Sequence, residues 1–140
     1  MEELLELKSL ILKQDYDGAL ALVDELEEMS KKDIINNIRS YAVILLLHII
    51  KQIVEQRSTK SWDASISISV LEIHALNQRR KSKGTYLDAE DLKEAIESAY
   101  AQAVIKASVE VFGGRLSVEE IESLAPMESV VVIALEKLKD

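Results

Sequence analysis

The sequence predicts an all-α protein, a single-domain helical bundle of about six to seven helices with a long central apolar helix. Three observations carry that reading. The 140 residues include one proline and four glycines, too few turn-makers for the many short loops of an all-β fold. Apolar side chains recur at helical spacing along most of the chain. The stretch Tyr41 to Ile50 is apolar on almost every side, as befits a helix enclosed by others. With 48% apolar and 30% charged residues, the composition is that of a folded chain, and the length suits one continuous core.

The first helix is expected over about residues 2–13, with Leu4, Leu7 and Ile11 at i, i+3, i+7. Gln14-Asp15-Tyr16-Asp17-Gly18 interrupts it, and Asp15 or Asp17 caps a second helix reaching about Met29. Ser30 with Asp33 resembles a capping box and is read as opening a third helix, about 31–56. Arg57 to Lys60 is then a loop, with Ser61 as cap of a fourth helix ending near Arg80. Ser65 to Val70 alternates like a strand. Trp62, Ile66, Val70, Ile73 and Leu76 nevertheless fall on one helical face, and no partner strand is visible, so helix is preferred.

Lys81 to Leu87 is a second loop, and Asp88 caps a fifth helix over about 89–112, with Leu92, Ile96, Ala99 and Ala103 facing inward. Phe112-Gly113-Gly114 stops it. Ser117 with Glu120 makes a capping box for a short helix ending near Leu124, and Pro126 suits the first turn of the last helix. No internal repeat is visible, which argues against a solenoid.

There is no cysteine, so disulfides, thiolate catalysis and Cys-ligated zinc are excluded, in keeping with a reducing cytosol. The N-terminus lacks the basic start and long apolar run of a secretory signal. Tyr41 to Ile50 is about half the length needed to span a bilayer. A cytoplasmic location without membrane insertion is expected. The net charge of −8 is unevenly spread: residues 1–29 carry nine acids and two bases, residues 30–83 ten bases and four acids, and residues 84–140 twelve acids and five bases. A basic middle thus lies between acidic ends.

Chemistry finds little foothold. His48 and His74 are the only histidines and lack any two-His ligand spacing. A bridge between them with Glu72 or Glu55 is the remaining metal option, and no metal or other cofactor is expected. Pairs such as Asp24 with Glu28 or Glu90 with Glu94 read as solvated helix faces rather than acid–base pairs. Gly113-Gly114 lacks the spacing and lysine of a phosphate loop, and no serine sits in a nucleophile elbow. No catalytic residue is assigned. The basic groups Arg57 with Lys60, and Arg79-Arg80-Lys81 with Lys83, flank the fourth helix and lie roughly 30 Å apart along it. No aromatic residue is interleaved within either basic group for base stacking, so nucleic acid is a minor alternative.

Three pieces between Leu22 and Trp62 carry a family resemblance. They are Leu22-Val23-Asp24-Glu25-Leu26-Glu27-Glu28-Met29-Ser30, then Leu45-Leu46-Leu47-His48-Ile49-Ile50-Lys51, then Arg57-Ser58 with Lys60-Ser61-Trp62. Their order and spacing resemble domain-of-unknown-function family 29, a bacterial group common in cyanobacteria. Departures from the family pattern follow Trp62, at Ile66-Ser67-Ile68-Ser69, and in the C-terminal segment. The resemblance implies a compact helical fold and a bacterial cytosolic origin, and it implies no activity. Its residues His48, Lys51, Arg57, Ser61 and Trp62 gather near one end of the third helix and form the candidate cluster. His48 is open to a structural role, hydrogen-bonded inside the fold, or a functional one.

The expected function is a non-enzymatic helical module for self-association, as a homodimer or larger homo-oligomer, or for binding a protein partner. Its motive is apolar helix in surplus, at residues 43–50 and in the last helix at Val130-Val131-Val132-Ile133. The alternative is a ligand-binding or enzymatic bundle whose pocket is lined by His48, Lys51, Arg57 and Trp62. A second alternative is nucleic-acid binding through the basic middle.

Overall fold

A computed structural model describes residues 2–79 and 83–139. Among these, seven α-helices and one 3₁₀ turn form the fold, with no strand and one isolated antiparallel bridge between Gln78 and Thr85. The helices are α1 (Glu2–Leu12), α2 (Tyr16–Glu55), α3 (Lys60–Asn77), α4 (Ala89–Ser98), α5 (Tyr100–Glu110), α6 (Val118–Leu124) and α7 (Met127–Leu138), with the 3₁₀ turn at Val111–Gly113. The chain divides into two compact units, residues 1–34 and 35–140, and α2 supplies residues to both.

In the first unit, α1 ends in a Schellman motif. Gln14 takes the left-handed conformation (φ 62°), its amide donates to the Ile11 carbonyl, and the Asp15 amide reaches back to Leu10. Asp15 is the cap of the next helix: its carboxylate accepts from the Gly18 amide at 3.0 Å. A Cβ on residue 18 would stand 2.5 Å from that carboxylate, so the Asp15 side chain would have to shift to admit one. The helix it starts does not stop at Met29. The expected second and third helices are one 40-residue helix, and Ser30 and Asp33 lie inside it. A capping box needs a residue in extended conformation to act on. No glycine or proline occurs between Gly18 and Gly84, and one Ser and one Asp in a helix interior cost only a few tenths of a kcal/mol each.

The second unit is built around the last five turns of α2. Leu45, Leu46, Ile49 and Ile50 are at most 1% exposed, and Val43 and Leu47 are also buried. By length and composition α2 could cross a bilayer, but its most apolar segment is the part covered by protein. Ile66, Ser69, Ile73 and Asn77 are the buried face of α3, spaced i, i+3, i+7, i+11, which decides the strand-like alternation of Ser65 to Val70 in favour of helix. Asn77 closes the following turn. Its side-chain oxygen accepts from the Leu87 amide at 2.8 Å, and its own carbonyl accepts from the Tyr86 amide. Arg80 and Lys81, the expected helix end and loop start, lie outside the described residues.

Asp88 caps α4 through the Asp91 amide. The expected helix over 89–112 is broken at Ala99. There the Ser98 hydroxyl donates to the Ala95 carbonyl at 2.7 Å, and the Ala99 amide bonds Ile96 three residues back, a tightened turn that ends α4. Tyr100 opens α5, and its hydroxyl donates to the buried Ala125 carbonyl at 2.7 Å. Burial, with Glu122 adding to it, holds the Tyr100 hydroxyl above the ordinary tyrosine range. Ile96, Ala99 and Ala103 are fully buried; α5 packs against α4 and α6, with the two alanines allowing close approach, while α7 packs against α4 and α3. Both halves of the Ser117–Glu120 capping box form, and Pro126 is the cap of α7 itself.

Candidate functional site

The carboxyl end of α2 turns into α3 through four residues. Gln56 takes φ 52° to leave the helix. The expected cap, Ser61, stands exposed in the first turn of α3, and Thr59 caps instead, accepting from the Trp62 amide at 3.0 Å. The two-residue shift follows from the turn's other bonds. The Ser58 hydroxyl donates to Asp63 at 2.6 Å, and Gln52 reaches both Ser58 and Asp63 from α2. Thr59 is then the first residue whose side chain is free to turn back on the helix start.

This turn brings three of the five candidate residues together. The Trp62 ring has Arg57 Cζ at 4.6 Å and Lys51 Nζ at 5.4 Å from its centroid, so two cations flank one indole. Each cation has a carboxylate of its own. Lys51, 9% exposed, pairs with Glu110 at the end of α5 at 2.5 Å. Arg57 pairs with Glu55 Oε1 at 2.8 Å. Glu55 Oε2 accepts from the amide of Phe112 at 3.2 Å, and Phe112 sits in the left-handed region (φ 48°) at the 3₁₀ turn. Burial works against the Glu55 charge, but the Phe112 amide, Arg57 and Lys51 outweigh it and hold the carboxyl below the ordinary glutamate range.

The other two candidates do not join this cluster. His48 Nδ1 lies 2.7 Å from the Ile44 carbonyl one turn earlier. A carbonyl only accepts, so Nδ1–H is the donor of this bond. Ser61 makes no bond to the cluster. Glu55 and Glu110, neither of them a candidate from sequence, complete the cluster. Glu55 has a sequence signal in Arg57 two positions on. Glu110 has none, being 59 residues from Lys51.

With each cation matched by a carboxylate, the arrangement joins α2, α3, the end of α5 and the 3₁₀ turn. Its chemistry is that of a latch. Among the described residues no group of three or more His, Asp or Glu could hold a metal ion. Among the described residues, two clefts of the second unit are lined without any candidate residue. One, of about 390 Å³, lies between α2 and α5 and includes Asn36, Arg39 and Lys106. The other, of about 530 Å³, lies between α2 and α3 and includes Tyr41, Glu72 and Leu76. Of the basic groups flanking α3, Arg57 is paired as above and Arg79 lies 5.5 Å over the Tyr86 ring.

The family model of the domain of unknown function DUF29 matches residues 14–115. The chain belongs to the DUF29 family. The match reaches well beyond Trp62, taking in α3, α4, α5 and the 3₁₀ turn, and so both halves of the Lys51–Glu110 pair. No curated protein and no solved structure matches the chain. The part of this DUF29 protein outside the match comprises α1 at one end and α6 and α7 at the other.

Proposed function

We propose that this DUF29 protein is a non-enzymatic interaction module that self-associates through its N-terminal helical unit. One observation carries the reading: α1 buries none of its residues. Leu4, Leu5, Ile11 and Leu12 are 50–74% exposed, and only Leu7, Ser9 and Leu10 are half-buried. At about 100° per residue, these six apolar side chains cover more than half of the helix circumference. One neighbouring helix cannot cover an arc that wide. Tyr16, Leu20 and Met29 at the start of α2 are exposed as well, so the apolar surface of residues 2–29 is larger than scattered surface leucines explain.

The surplus therefore lies elsewhere than expected. Residues 43–50 spend their apolar side chains inside the second unit, and Val130 and Val131 of α7 are buried, leaving Val132 exposed. A cytosolic location goes with the reading, supported by the cysteine-free composition and by the covering of the apolar half of α2. The acids crowded into residues 1–29 oppose the approach of a second copy, so salt that screens them should promote association. Sedimentation velocity of the full chain at low and high salt tests this. Oligomers that strengthen with salt, and that Leu5→Glu with Leu12→Glu returns to monomer, are the expected result. A strict monomer at high concentration in both salts overturns it.

A further inference from the structure

We propose that the cleft between α2 and α5 is a binding site for a small oxyanion, a phosphate or a carboxylate. The inference is independent of self-association, since every residue it uses belongs to the second unit. Acids outnumber bases by 25 to 17 in this chain, yet the cleft is lined by Arg39 and Lys106 and by no carboxylate. Two other cations of the unit that lie against its helices have carboxylates of their own, Lys51 with Glu110 and Arg57 with Glu55. Arg39 and Lys106 form no ion pair with any described residue.

The geometry follows from helix periodicity. Asn36, Arg39, Ser40 and Val43 sit at i, i+3, i+4 and i+7 on one face of α2, and Gln102 and Lys106 at i and i+4 on α5. Cations and amides from two helices thus border a volume of about 390 Å³, the lower end of the range for small-ligand pockets. Val43 contributes an apolar wall for the body of a small metabolite.

Arg39 gives the site its specificity. One of its terminal nitrogens donates to the Asn36 side-chain oxygen at 3.0 Å, which steadies the guanidinium at the cleft. Its Nε–H is buried and has no acceptor among the described residues. A buried donor left unsatisfied is unfavourable. A small swing of the side chain into the cleft would present Nε–H and an Nη–H together, the fork that matches two oxygens of one carboxylate or phosphate. Binding thereby relieves a defect of the free protein. Lys106 adds a second positive charge from the opposite wall.

The test uses the full chain in a chloride buffer, titrated separately with inorganic phosphate and with acetate. The readout is the Arg39 Nε–H resonance and the amides of residues 36–43 and 102–106 in ¹⁵N–¹H spectra. Saturable shifts confined to these signals are expected with at least one anion, and whichever anion binds tells phosphate from carboxylate. Arg39→Gln should weaken binding about tenfold or more, the loss of a charge-assisted fork, and Lys106→Gln should weaken it by less. Arg39→Lys keeps the charge without the fork and should fall between Arg39→Gln and the unaltered protein, which covers the case in which Arg39→Gln fails to fold. Arg115→Gln, remote from the cleft, should bind as the unaltered protein does. Absence of a saturable shift with both anions overturns the proposal. So does binding that Arg39→Lys and Lys106→Gln leave unchanged.

Discussion

Replacing Glu55 with alanine should destabilise the second unit by about 2–4 kcal/mol, and replacing it with glutamine by about 1 kcal/mol. The carboxylate's bond to the Phe112 amide is charge-assisted and the Glu55 side chain is only 10% exposed, so losing it costs about 1.5–3 kcal/mol. Its pair with Arg57 is worth less, about 0.2–1 kcal/mol, because the arginine is 54% exposed and screened by water. Glutamine keeps an acceptor for Phe112 and loses the charge, whereas alanine loses both. Urea unfolding followed by circular dichroism reads the difference: at about 1–3 kcal/mol per molar urea, the alanine variant should melt about 1–2 M earlier. Acid supplies a second check. The folded Glu55 carboxyl sits below the 4.5 of an unperturbed glutamate, so the unfolded chain takes up its proton first. The stabilisation is therefore complete above about pH 4.5 and is lost as the pH falls through the lowered folded value. The gap between the parent and Glu55→Gln should close over that interval. An alanine variant within 0.5 kcal/mol of the parent, or a glutamine gap that stays constant from neutral to strongly acid pH, would refute the latch.

Three further outcomes follow from single contacts. Tyr100→Phe should cost about 1–3 kcal/mol, because the Ala125 carbonyl it serves is fully buried. Since the folded Tyr100 hydroxyl lies above 10.0, that stabilisation is full below pH 10 and fades as the pH rises through the folded value, and alkaline unfolding of the two proteins should converge there. Asn77→Ala orphans the buried Leu87 amide and should lower stability by about 2–4 kcal/mol in urea melts, whereas an unchanged midpoint would mean the α3–α4 turn is held by other bonds. Gln14→Gly removes a side chain from a left-handed position and should stabilise the end of α1 by up to about 1 kcal/mol. Slower hydrogen exchange at the Asp15 amide, which bonds Leu10, is the readout; faster exchange would count against it.

Caps and stops were legible from sequence wherever one short segment contains both donor and acceptor. Asp15, Asp88 and Ser117 each bond an amide three residues on, and the glycine pair after Phe112 ends a helix. The same local logic misled at Ser30, where the box residues are present but the backbone never leaves the helix. It misled again at Ala99, where a serine's bond to its own helix breaks what periodicity continues. Of the candidate cluster, Lys51, Arg57 and Trp62 were drawn together by a turn visible in the sequence. His48 was not, because the Ile44 carbonyl within its own helix takes its Nδ1–H.

The chain by itself determined the all-α class, the apolar run enclosed within the second unit and the family to which it belongs. All three rest on periodicity and local pattern, which a linear sequence states openly. Tertiary structure alone decided that Glu110 answers Lys51, that Phe112 is held by Glu55, and that Arg39 and Lys106 face an acid-free cleft. Those pairings join residues about 60 positions apart. Charge and hydrogen bonding act over a few ångströms of space and are indifferent to distance along the chain.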